Sequence, residues 1–326
     1  MSIRSVQDKS LASFYPKTFL FSLFVAVFSH RRRSLQLSGA LSATLVGYLT
    51  LANPNPIFGS ALLSFFTLGT IATKYKQNIK AHLVDESDQP QHLDDPPSHQ
   101  RNNKELTSHS HPTTRGRDWK QVLCNAWFGT LCALSYCFVD SEHHLNLGST
   151  YQSQTAPAGS LQKALVSAAL AYWAGCAGDT FASELGILSR SKPRLITTLQ
   201  EVPPGTNGAV SLLGLLFSTL GGLLVGAVSA FVGEPHQPRG SMILTCGLYG
   251  LFCSAIDSLL GATLQQTVYS KTEKRVIAKS KIPLGGSREI VVVCGHDILT
   301  NNQVNLVSST LSGLLAGLIS YYSSLP

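Results

Sequence analysis

The sequence predicts an all-α, polytopic membrane protein of about eight transmembrane helices, with a polar cluster gathered at the cytosolic face. Three observations carry that reading. The 326 residues are 44% hydrophobic and only 13% charged, against about 25% charged in an ordinary soluble domain. Charge is confined to a few loops, and the apolar stretches between them run to about 18–25 residues, the length that crosses a bilayer. Lys and Arg are shared unequally between alternate loops.

The apolar runs fall near 11–29, 35–53, 56–73, 120–139, 161–178, 209–232, 241–266 and 304–323. The first is the weakest. Pro16 and Lys17 interrupt it ahead of the short core FLFSLFVAVFS, so it is read as spanning or interfacial. The chain thus divides into an N-terminal segment (1–33), two transmembrane helices (34–73), a polar linker (74–118) and a transmembrane core (119–326). The linker stretch DESDQPQHLDDPPSHQRNNKELTSHSHPTTRGR lacks aliphatic periodicity and is expected to be disordered. Its His99, His109 and His111 are read as solvated side chains, not as a metal cluster.

Placing the N-terminus on the non-cytosolic side puts 20 of the 25 Lys and Arg residues in cytosolic loops. Arg4, Lys9, Lys17, Lys163 and Arg239 remain opposite, the asymmetry of the positive-inside rule. Basic residues beside spans also account for the formal charge of +7, so no nucleic-acid partner is expected. The seven cysteines contain no CxxC pair, which argues against a zinc site or a disulfide framework. No small-residue cleavage site follows the basic N-terminal flank, so that segment is expected to be retained.

Four polar stretches break the apolar pattern, each at or near a cytosolic end. GCAGDTFASELG (175–186) places Asp179 and Glu184 among small residues that let another backbone approach closely. Asp179 as the N-cap of a short following turn is the plain alternative, and it leaves Glu184 unexplained. On an ideal helix the two carboxylates lie about 140° apart, so sharing a ligand requires a partner segment. SRSKPRLITTLQEVPPGTNG (189–208) offers Arg190, Lys192 and Arg194 as phosphate-binding cations. Its turn Gly205, Thr206, Asn207 and Gly208 opens a helix with free N–H groups, an anion site, or else it is an ordinary basic loop. The loop does not match GxxxxGK[ST], so a P-loop is excluded.

AIDSLLGATLQQ (255–266) sets Asp257 inside an apolar span, where a carboxylate is costly and faces a partner or a polar cavity, or else snorkels or bonds to a neighbouring serine. ILTNNQVNLVSS (298–309) clusters Asn301, Asn302 and Asn305 at the start of the last span. Capping explains one of the first two, not all three. Phosphoryl transfer uses this inventory: carboxylates hold Mg²⁺, while cations and backbone N–H groups bind phosphates. At this depth a nucleotide arrives from water and a lipid head group from the bilayer.

These blocks, together with SLQLSGALSATLVGYLTLAN, resemble the transmembrane protein 19 family, an integral membrane family that also contains the plant phytyl-phosphate kinases. The resemblance runs from residue 34 to 323, with the GDT-ASE-G and PPGTNG blocks its most specific parts. A more distant similarity, through a GD-x-x-A element, reaches CTP-dependent prenol kinases such as dolichol and phytol kinases. The resemblance puts Asp179, Ser183 and Glu184 in one signature and Arg194 with Gly205 to Gly208 in a second. Asp257, Gly261, Asn301, Asn302 and Asn305 match later blocks.

It implies a kinase that transfers phosphate from CTP, with Mg²⁺, to an isoprenoid monophosphate. Asp179, Glu184 and Asp257 would be catalytic and metal-binding. Arg190, Lys192, Arg194, Gly205, Thr206, Asn207, Gly208, Asn301, Asn302 and Asn305 would bind nucleotide and phosphate. The substrate's tail is expected between the fifth to eighth spans, and the protein in an endomembrane such as the endoplasmic reticulum. An ion-coupled carrier or flippase, or a non-catalytic membrane protein, are the rival classes. Against a carrier, no inverted repeat is visible and the polar groups lie toward one leaflet.

Overall fold

Helices start and stop where the sequence carries breakers and caps. The computed structural model describes residues 14–87, 116–147, 157–233, 238–277 and 289–324. The first half holds α1 (Pro16–Arg31), α2 (Leu37–Leu51), α3 (Pro56–Ser87), α4 (Trp119–Cys124) and α5 (Trp127–Leu147). The second holds α6 (Pro157–Leu185), α7 (Leu212–Val232), α8 (Arg239–Leu264) and α9 (Asn301–Ser323). Proline opens α1, α3 and α6, where its missing N–H costs no helix bond. Asp118 and Ser211 cap α4 and α7 by accepting from Gln121 N at 2.9 Å and Gly214 N at 3.1 Å.

The protein is mostly helical but not all-α. Two short antiparallel strands, β1 (Arg194–Leu195) and β2 (Ala209–Val210), pin the loop between α6 and α7. Between α8 and α9, β3 (Gln265–Ser270), β4 (Arg275–Ile277) and β5 (Ile290–Asp297) form an antiparallel sheet in the order β4-β3-β5. The β-branched residues of QQTVYS and IVVVCGHD explain that choice.

Among the described residues, four helices are long and apolar enough to cross a membrane: Pro56–Lys76 of α3, then α7, α8 and α9. The expected span 120–139 is broken at Asn125 and Ala126. There Asn125 Nδ2 donates to Gln121 O at 2.8 Å, and the Tyr172 hydroxyl takes the Cys124 carbonyl at 2.7 Å. The expected linker also begins late. Residues 74–87 continue α3, and Gly116–Asp118 is ordered against the α1–α2 turn. Its stretch 88–115, with His99, His109 and His111, lies outside the described residues.

The core forms around α6, which packs against α3, α5, α7, α8 and α9. Tyr172 and Trp173 are fully buried at its middle. Beyond them small residues bring backbones together. A Cβ added to Gly178 would stand 2.6 Å from Gly250 Cα on α8 and 2.7 Å from Ser218 O on α7. Such contacts drive helix association in lipid, where apolar burial between helices gains little. All seven cysteines are free.

Gly178→Ala is therefore expected to destabilise the protein by about 1–3 kcal/mol through overpacking against backbone, read as a lower thermal midpoint in detergent. Gly159→Ala, where nothing lies within 4 Å of the added carbon, is the control expected to melt like the parent.

Candidate functional site

The small-residue crossing decides what happens one residue later. Gly178 holds α6 against α8, so Asp179 meets Ser254, one turn beyond Gly250, whose hydroxyl donates to Asp179 Oδ1 at 3.5 Å. Asp257 follows Ser254 on the same face of α8 and lies within electrostatic reach of Asp179. Its Oδ2 accepts from Ser308 Oγ of α9 at 3.0 Å. Asn305, one turn earlier on α9, donates to the same oxygen at 3.3 Å when its amide nitrogen faces Asp257. Three helices thus converge on two carboxylates, each half-buried.

Asp179 is no N-cap. α6 runs unbroken through it to Leu185, and the Thr180 hydroxyl bonds back to Cys176 O at 2.7 Å inside the helix. That continuity separates the carboxylates of the signature, as the helical period requires. Glu184 faces α3, where Lys76 Nζ is 2.9 Å from its Oε2 and the Thr73 hydroxyl 3.4 Å from its Oε1. Among the described residues, no three His, Cys, Asp or Glu side chains are placed to hold a metal ion by themselves. Of the three expected carboxylates, the structure brings Asp179 and Asp257 together and turns Glu184 toward α3.

The pair opens on a cavity of about 1320 Å³ at one end of the bundle. Arg190, Lys192, Gly205, Thr206, Asn207, Gly208, Asn301 and Asn305 also line it. Two expected residues do not. Arg194 is turned into its own loop, donating to Leu199 O at 2.9 Å and pairing with Glu201 at 3.4 Å. Asn302 sits outside the lining, and Thr300, not an asparagine, is the N-cap of α9, its N–H held by Gln303 Oε1 at 2.8 Å.

The glycine turn is less open than its sequence suggests. Thr206 N–H donates to Pro203 O at 3.2 Å and Asn207 N–H to the Thr267 hydroxyl at 3.0 Å, so two of its four N–H groups are already engaged. Gly205 and Gly208 have φ of +86° and +73°, which favours glycine at both. Gly208 also lies directly on the α8 backbone at Ser258 and Ala262, where any side chain would collide. The turn is a strut that docks the α6–α7 loop on α8 as well as a wall of the cavity.

The apolar wall is on the other side. Val25, Ala26, Val46, Leu51, Leu62 and Phe66 line it from α1, α2 and α3. The substrate tail is expected between the fifth to eighth spans; there α6 to α9 close on each other through glycine and serine, and α8 and α9 leave an open apolar pocket of about 440 Å³ lined by Leu248, Phe252 and Leu315. Lys76, Thr73, Arg117 and Ser254 are site residues that no motif indicated, and Ser308 lies in the 298–309 block without having been singled out there. Lys76 and Arg117 counted only as loop charges, although Arg117 stands immediately before an apolar run. Burial pulls the Arg117 guanidinium below the ordinary arginine range, and the nearby Glu184 charge acts against that.

A helical bundle with helices long and apolar enough to cross a membrane defines an integral membrane protein, here with a cavity that has a polar and an apolar wall. The chain belongs to the family described as Integral membrane protein DUF92, which matches residues 20–313. It is 31% identical to Protein PGR of Arabidopsis thaliana over 93% of this chain and 95% of that one. It is 32% identical to the uncharacterized membrane protein MJ0933 of Methanocaldococcus jannaschii, covering 45% of this chain and 48% of that one. Protein VTE6, chloroplastic, of Arabidopsis thaliana is 33% identical over 27% of this chain and 25% of its own. No solved structure matches.

Thr267→Val removes the acceptor of the half-buried Asn207 N–H, at an expected cost of about 1 kcal/mol. Limited proteolysis should then cut the loop near the exposed Leu199 faster than in the parent.

Proposed function

We propose that the protein is an isoprenoid-phosphate phosphotransferase, which moves a phosphoryl group from a nucleoside triphosphate, CTP by resemblance, to a lipid monophosphate. The observation that carries the reading is the Asp179–Asp257 pair at the boundary of a polar and an apolar chamber. The cavity exceeds the roughly 300–1,000 Å³ of a single-ligand pocket, which suits two ligands meeting end to end. The resemblance of the signature blocks to the family that contains the plant phytyl-phosphate kinases supports the same class.

The donor set fits Mg²⁺. That ion is held through one or two carboxylates with substrate phosphates and water completing the shell, not by an all-protein cage. Asp179 and Asp257 would hold it, and it would neutralise charge on the transferring phosphoryl group. Ser254 and Ser308 orient the two carboxylates by donating to them. Lys192 and Arg190, exposed on the cavity wall, meet the donor's phosphates from the polar side.

In the reaction, an oxygen of the lipid monophosphate bonds to the γ-phosphorus as the bond from that phosphorus to the bridging β-oxygen breaks. The products are a lipid diphosphate and a nucleoside diphosphate. The nucleophile is already an anion at neutral pH, so alignment matters more than proton removal. The polar face would look into the cytosol of an endomembrane, as the distribution of Lys and Arg favours.

Purified protein in detergent, given Mg²⁺ with radiolabelled CTP, ATP or UTP and phytyl, geranylgeranyl or dolichyl monophosphate, should yield labelled lipid diphosphate. Asp179→Asn and Asp257→Asn should each lower turnover by about a hundredfold or more while the protein stays folded. Parent protein that is well folded yet transfers no label with any pair would overturn the kinase reading and favour a carrier.

A further inference from the structure

The two halves of the cavity meet at one side chain. Along α3 the lining changes from Leu62, Leu63 and Phe66 to Thr70, Thr73 and Lys76 within about one turn. Arg117 bridges that change. Its guanidinium carbon lies 6.0 Å from the centre of the Phe66 ring, and its Nη2 donates to the Thr73 hydroxyl at 3.4 Å. A Cβ on Gly69 would stand 3.5 Å from Nη2 and 3.6 Å from Thr180 Cγ2, so the guanidinium reaches across Gly69 toward the residue after Asp179.

The backbone fixes this position. Arg117 N–H donates to Ser34 O at 3.0 Å, and Gln36 N–H donates to Arg117 O at 3.0 Å, locking the residue to the α1–α2 turn. Gly39 gives the carbonyl room, since any side chain there would collide with it. Among the described residues, no carboxylate stands within ion-pair distance of Arg117, and Glu184 is held by Lys76. Arg117 therefore faces the cavity with one side-chain bond to a neutral hydroxyl and the rest of its planar donor fork unused by the described residues.

We propose that Arg117 binds the phosphate of the acceptor lipid, whose hydrocarbon tail lies in the chamber between α1, α2 and α3; this rests on the phosphotransferase reading of the site. A phosphate at Arg117 sits beside Thr180, toward Asp179, while a tail attached to it passes Phe66 into the apolar wall. The ring under the guanidinium keeps water from that side of the phosphate and strengthens each charge-assisted bond. The N-terminal half of the chain then selects the lipid, and the C-terminal half handles the nucleotide.

The test needs no turnover. Full-length protein in detergent is offered labelled geranylgeranyl monophosphate, and separately labelled geranylgeraniol, with retention measured at equilibrium. The parent should hold the monophosphate at least about tenfold more tightly than the alcohol. Arg117→Gln should abolish that preference and leave affinity for the alcohol unchanged. Arg117→Lys keeps the charge without the fork and should restore only part of it. Thermal midpoints establish that each variant is folded. If the Gln variant is not, the Lys variant decides, and parental affinity for the monophosphate in it overturns the proposal. So does a monophosphate preference that survives Arg117→Gln, a parent that holds both lipids equally, or a variant that weakens only CTP. Lipid discrimination lost with Arg117, in a parent that transfers no label, would refute the kinase reading and leave the binding site standing.

Discussion

The approach of α6 to α8 at Gly178 and Gly250 is the constraint on which the rest depends. In a bilayer, apolar side chains gain nothing by leaving lipid for one another, so helices associate through backbone proximity and short polar contacts. Here that proximity has a chemical consequence. The residue after Gly178 is Asp179, and the residue one turn after Gly250 is Ser254, so this close crossing delivers a carboxylate to its hydroxyl donor. Asp257 follows on the same helix and takes its own donor from α9. Separating the helices by a methyl group's width would disturb the packing and the site together.

A second constraint is the helical period. Asp179 and Glu184 belong to one short motif, yet one helix cannot aim both at the same ion. Asp179 turns to α8 and Glu184 to α3, where Lys76 neutralises it. Glu184 thus ties α3 to α6 near the polar end. The lysine that reaches it also donates to Ser183 O at 3.2 Å, so a signature that reads as one site in sequence performs two tasks in space.

The cavity has a matching division of labour. Its acidic and glycine-lined wall comes from α6, α8, α9 and the loop before α7, and its apolar wall from α1 to α3. Small residues make the first group pack tightly, and larger side chains hold the second apart. Arg117 stands where these walls join, held there by two backbone bonds to a turn more than eighty residues earlier in the chain.

The sequence by itself determined the membrane class, the helical character, the family and most of the polar cavity wall. Those follow from composition, run length and short-range motifs, which are local properties. It misjudged what depends on distant partners. The break at Asn125 needs the Tyr172 hydroxyl from α6 to hold the freed Cys124 carbonyl, and the strands after α8 need one another. Arg194 looked like a phosphate ligand until its own loop folded back to take both ends of its guanidinium. Arg117 looked like linker charge until the α1–α2 turn paired with it. Motif spacing encodes which groups a segment can offer. Only the tertiary structure decides where they point, because that is set by backbones meeting far apart in the chain.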